Sequence, residues 1–150
     1  MKKFTFSLEK MLNYKTTLLE EEKATLGRMR AELNAIEAEI QQTTRQMLNT
    51  DIQLKKTAAQ GVNVMQLRNM SFQIDNTRNL IADLKKQQVA QEKKVQMQLQ
   101  VVLGATQEVS GMEKLKEKQL EAYRYSLQKE EELMISELVS TQYVRAGHSR

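Results

Sequence analysis

Proline, tryptophan and cysteine are absent from this chain, and glycine occurs only five times in 150 residues. Without proline, nothing in the sequence obliges a helix to kink or stop. Without cysteine there can be no disulfide and no thiolate metal site, which fits a reducing compartment. Aromatic residues make up only 5% of the chain while charged residues reach 28%, leaving little of the mass from which a compact core is built. No apolar run approaches the roughly 20 residues that span a bilayer. The opening stretch, MKKFTFSLEKMLNYK, puts Lys2 and Lys3 before no continuous apolar segment and does not read as a secretory signal. The expected location is the cytoplasm.

Catalytic signals are equally scarce. The scattered glycines form no phosphate-binding loop, since none precedes Lys-Ser or Lys-Thr. No His/Asp/Glu spacing suits zinc. The single histidine, His148, reads as a solvated residue near the end of the chain, and the runs Glu20-Glu21-Glu22 and Glu130-Glu131-Glu132 spread around helical faces as solvated charge. A helix pair also lacks the enclosed pocket that enzymes use. The expectation is a non-enzyme with no cofactor and no metal. The net charge is +4. Much of the excess lies at Lys55, Lys56, Arg68, Arg78, Lys85, Lys86, Lys93 and Lys94. A nucleic-acid binder carries a denser basic stripe and stacking aromatics, so these cations read as a solvated helical face and nucleic acid is not an expected partner.

What the chain does have is a heptad. Leu12, Leu19, Leu26, Leu33, Ile40, Met47 and Leu54 recur seven residues apart without a break. The intervening set is Leu8, Lys15, Glu22, Met29, Ile36, Thr43 and Thr50, about half of it polar. Such a stripe marks a long helix that supercoils left-handed around a partner helix. Glu, Lys, Gln, Leu, Ala, Met and Arg, the strong helix formers, dominate throughout. Met29, Met47, Met112 and Met134 sit in or near the seam, where packing is the simplest role.

Gly61 suits the left-handed position that closes a helix. Asn63 with Gln66 reads as a capping box, and Val62 with Leu67 as a hydrophobic staple. These signals predict a turn at about residues 60–63, between a first helix of about 7–59 capped by Ser7 and a second of about 64–145. The second helix carries Ile74, Thr77, Ile81, Leu84, Gln88, Gln91, Val95, Gln98, Val102, Ala105, Val109 and Met112 at alternating spacings of three and four. The pattern then slips by about one residue and resumes at Leu120, Tyr123, Leu127 and Met134, a change of winding rather than a break. The fold class expected is all-α: one domain over 1–150, a long antiparallel two-helix coiled-coil hairpin. A second turn near Gly104 and Gly111, giving three helices, is the rival architecture. In the hairpin, paired residue numbers sum to about 124. Residues beyond about Leu120 then overhang the N-terminus by roughly 25 residues, or about 37 Å at 1.5 Å per residue. That overhang keeps an apolar seam of Tyr123, Leu127, Met134 and Leu138. An isolated amphipathic helix is only marginally stable in water, so this segment is expected to seek a partner.

Three segments together resemble the flagellar export protein FliJ family: KKFTFSLEKMLNYK (2–15), GVNVMQLRNMSFQ (61–73) and MEKLKEKQLEAY (112–123). The resemblance covers nearly the whole chain in order and spacing. It implies a stalk similar in fold to the gamma subunit of rotary ATPases, working in type III protein export at the cytoplasmic face of the inner membrane. The implied partners are a hexameric flagellar export ATPase at the end holding both termini, a membrane export-gate protein at the hairpin end, and export chaperones. The residues expected at the ATPase are Tyr123, Leu127 and Met134, with Arg124 and Lys129 as rim contacts. The family's gate-contact stripe has a Phe followed at helical intervals by an apolar residue, a small residue and a His. Here Phe72 would be followed by Asn76, Asn79 and Asp83; one residue on, the stripe is Gln73, Thr77, Leu80 and Leu84. Neither reproduces the family pattern, and the region holds no His. The rival functions are a chaperone escort that touches no ring and a structural coiled coil that dimerises through the overhang.

Overall fold

The computed structural model describes residues 2–61 and 63–148, with the His148 side chain outside the description. Among the described residues there are two helices and no strand: α1, Glu9–Ala59, and α2, Val64–His148. Threonine, a poor helix former in isolation, is accommodated by back-bonding. The hydroxyls of Thr16, Thr17, Thr25, Thr44, Thr50, Thr77 and Thr141 each donate to the carbonyl four residues earlier. Because α2 runs unbroken through Gly104 and Gly111, the three-helix alternative is excluded. Contacts divide the chain into two compact units, one of Met1–Leu19 with Gly104–Arg150 and one of Glu20–Leu103.

In the unit of Glu20–Leu103, α1 and α2 lie antiparallel. Gln88 bonds to Glu37, Gln91 to Glu32 and Gln98 to Glu22, so rising numbers on one helix meet falling numbers on the other. The seam buries Leu26, Ile74, Ile81, Leu84, Val95 and Val102. Polar residues share it. Thr43 is buried, and the Gln91 amide donates to the Met29 carbonyl at 3.0 Å and to Glu32 Oε2 at 3.2 Å. Gln98 donates to the Glu22 carbonyl at 3.1 Å as well as to its carboxylate. Each of these amides is satisfied, so each sits in the seam without an orphaned donor.

The connection follows from local chemistry. Gly61 adopts φ +75, the left-handed conformation that costs glycine nothing. Its N–H donates to the Ala58 carbonyl at 3.3 Å. Asn63 caps α2. Its Oδ1 accepts from the Met65 N–H at 3.2 Å while its carbonyl accepts from Gln66 and Leu67. The staple partner Val62 lies outside the described residues.

In the other unit the helices are antiparallel too, with Lys15 paired to Glu108 and Glu9 to Lys116. Here α1 starts at Glu9, one residue later than a Ser7 cap implies. The Phe6 carbonyl accepts from the Glu9 N–H at 3.1 Å, and the Leu8 carbonyl takes the first helical bond from Leu12 at 2.8 Å. Residues 2–6 form a non-helical arm. Phe6 is buried, together with Leu12, Leu19 and Val109.

The slip in the α2 pattern has a concrete cause. Val109, Met112, Lys116, Leu120, Tyr123 and Leu127, with Ser110 beside Val109, are the buried or half-buried positions from 109 to 127, so Lys116 occupies the seam. Two successive spacings of four give eleven residues from Val109 to Leu120, which relaxes the left-handed supercoil locally. A lysine is tolerated there because its stem packs while its ammonium leaves the seam. The Nζ meets Glu9 Oε2 at 2.8 Å and Oε1 at 3.0 Å.

Candidate functional site

Two stretches of α2 carry the residues that sequence reasoning singled out. The first is the C-terminal stretch. Tyr123 is half-buried, and its hydroxyl donates to the Lys2 carbonyl at 2.7 Å. The Phe4 ring lies against it, centroids 5.6 Å apart and planes at 49°. Tyr123 therefore has a partner within its own unit, contrary to the expectation of an unaccompanied overhang there. Lys2 and Tyr123 sum to 125, so the contact falls where the expected sum of about 124 puts it, and the pairing continues three residues past the Leu120 at which the overhang is expected to begin. Leu127 is half-buried and Arg124 exposed. Lys129 is tied locally, 3.4 Å from Glu132 Oε2 and 5.5 Å from the centre of the Tyr125 ring. Met134 is exposed.

Beyond Leu127 every described side chain through Gly147 is exposed. Among them are Leu133, Met134, Ile135, Leu138, Val139, Tyr143 and Val144, each between 55% and 81% exposed. Glu137 is the only charged residue between 133 and 144. At about 100° per residue, these seven side chains point to every side of the helix, with no gap wider than about 80°. Sequence reasoning found only the seam members Met134 and Leu138. It missed Leu133, Ile135, Val139, Tyr143 and Val144 by following one stripe. The available signal was the sudden loss of charge after Glu132.

The second stretch is the start of α2. A shallow groove is lined by Val64, Leu67, Arg68, Ser71, Phe72 and Asp75. Phe72 is exposed, as are Asn76, Asn79 and Asp83 on the same register. Of the alternative stripe, Gln73 and Leu80 are exposed and Thr77 is half-buried, with its hydroxyl bonded to the Gln73 carbonyl. Leu84 is 4% exposed, the most buried core side chain, and faces the seam rather than solvent.

Lys15 is held protonated above its ordinary 10.5, first by its hydrogen bond to Glu108 and then by that carboxylate's charge. The Nζ–Oε2 distance is 2.9 Å at an exposed edge, so this is a surface ion pair rather than a reactive centre. Among the described residues no three His, Asp or Glu come together as a metal site, and no helix is long and apolar enough to cross a membrane.

No curated protein and no solved structure matches the chain. A family model described as "Flagellar FliJ protein" matches residues 4–148. That span takes in Phe4 and Phe6 of the arm, both helices and the exposed apolar stretch. By this match the chain belongs to the FliJ family.

Proposed function

We propose that this chain is a non-enzymatic stalk component of the flagellar protein export apparatus. Its C-terminal helix overhangs the paired helices and enters the central hole of a hexameric export ATPase. The observation that carries this reading is the all-round apolar surface of residues 133–144. A helix that is apolar on one stripe needs one partner helix; a helix apolar on every side is stable only when surrounded. A single coiled-coil partner would cover Met134 and Leu138 and leave Ile135, Val139 and Tyr143 in water. A ring encloses all of them. The family match supports the setting, flagellar export, at the coarser level.

The other end meets the membrane export gate through the exposed start of α2. Phe72 with Gln73 and Leu80 supplies that contact, and Thr77 and Leu84 hold the surface from behind. The site of action is the cytoplasmic face of the inner membrane at the flagellar base. Export chaperones are further partners in this reading. A helix held asymmetrically in a ring changes ATP turnover only if it binds the subunit states unequally.

The test is binding of the full chain, and of a truncation ending at Glu121, to the cognate flagellar export ATPase while ATP turnover is recorded. The full chain is expected to bind and stimulate, and the truncation to do neither. Equal binding by the truncation would remove residues 122–150 from the contact and sink the insertion reading.

A further inference from the structure

We infer that the N-terminal arm is a strap that covers the Tyr123 face of α2 in the free chain and is displaced when the ring closes around the helix. This rests on the insertion reading above. The arm reaches α2 through few contacts. The Lys2 carbonyl accepts from the Tyr123 hydroxyl at 2.7 Å, and the half-buried Phe4 ring packs on Tyr123. Phe6 is the deeper anchor, 7% exposed, and lines one shallow pocket with Glu9 and Lys116. Outside α1 the arm makes no helical ladder, and among the described residues the Lys2 carbonyl and the Phe4 ring tie its outer part to Tyr123.

The strap and the ring need the same surface. Tyr123 and Leu127 continue the seam toward the apolar tip, and a ring that encloses the helix on all sides at Tyr123 has no room for Phe4 there. Only a fraction of free molecules, those with the strap lifted, then present the full length of helix. The apparent affinity is reduced by that fraction. The Phe4–Tyr123 contact is of the size that a ligand can displace, so removing it should tighten ring binding by roughly three- to tenfold.

The experiment compares wild type, Phe4→Ala and Phe4→Tyr for binding to the purified export ATPase hexamer. Neither substitution changes a residue of α2. Alongside, 4-fluorophenylalanine reports on Phe4, Phe6 and Phe72, the three phenylalanines of the chain. Expected results are tighter binding by Phe4→Ala, wild-type binding by Phe4→Tyr, and a Phe4 fluorine signal that moves to its solvent-exposed position when the hexamer is added. Binding by Phe4→Ala alone, with none by wild type, would be the same result in its extreme form. Unchanged or weaker binding by Phe4→Ala, or a Phe4 signal that stays put in the complex, overturns the strap. If wild type nevertheless binds and Ile135→Glu does not, the insertion reading stands without it. If neither wild type nor Phe4→Ala binds, both fall.

Discussion

Gln91→Leu should make the protein more stable. The Gln91 amide is 7% exposed in the seam and donates to the Met29 carbonyl and to Glu32. Substitution by leucine removes both bonds but strands neither acceptor. The Met29 carbonyl lies within α1 and keeps its place in the helical ladder, and Glu32 is exposed and returns to water. The loss is therefore the net value of the bonds, about 1–2 kcal/mol. Against it stands the burial of a leucine-sized apolar side chain, about 2–3 kcal/mol. Leucine and glutamine have similar helix propensity, so that difference is small. The expected balance is a gain of about 1 kcal/mol, read as a higher urea midpoint at unchanged slope. Gln91→Ala forgoes both bonds and packing and should cost about 2 kcal/mol. Gln91→Glu places a carboxylate beside Glu32 and should be destabilising at neutral pH and less so at pH 4. A midpoint for Gln91→Leu below that of wild type would refute the reasoning, because the amide bonds would then outweigh apolar burial in this seam.

The glycines should separate into two kinds. Gly61→Ala forces a side chain into φ +75 and should cost about 1–2 kcal/mol. Gly111→Ala, with nothing within 4 Å of the new methyl and helix on both sides, should stabilise by about 0.8–1 kcal/mol in thermal or urea unfolding. The alkaline limb tests Lys15. Its folded pKa is raised, so its contribution is fully present below the ordinary 10.5 and is lost as pH rises through the folded value. Stability measured above pH 10.5 should therefore fall more steeply in wild type than in Lys15→Met, and identical slopes would deny the pair any role.

Heptad reading located the paired helices because burial along a long seam repeats. Leu12, Leu19 and Leu26 are buried, and Leu33, Ile40, Met47 and Leu54 half-buried. The same logic found Gln91 and Gln98 among the seam positions of α2, although the bonds that satisfy them are long-range and invisible in sequence. Lys116 was passed over because a charged residue reads as surface, and only the position of Glu9 across the seam explains its placement. The arm's contact with Tyr123 agrees with the same count, since 2 and 123 sum to 125, and only the start of the overhang at about Leu120 is set too early. Leu84 illustrates a different ambiguity. It fits both the seam spacing and an outward stripe shifted by one residue, and only burial decides between them.

The distribution of apolar residues along α2 is itself an argument about function. The seam admits glutamines and threonines at positions where leucine would hold the pair more strongly, whereas residues 133–144 concentrate seven large apolar side chains on an exposed helix. Selection for a stable helix pair alone would produce the reverse arrangement. Polar seam layers cost stability and restrict register, as a single buried polar residue does in other coiled coils. An exposed helix apolar on all sides invites self-association unless a partner encloses it. The two features make sense together if the pair has only to position the tip and the tip has to be surrounded. In that case the strength of the complex should depend on Ile135, Val139 and Tyr143, the side chains no two-stranded seam would cover, at least as much as on Met134 and Leu138.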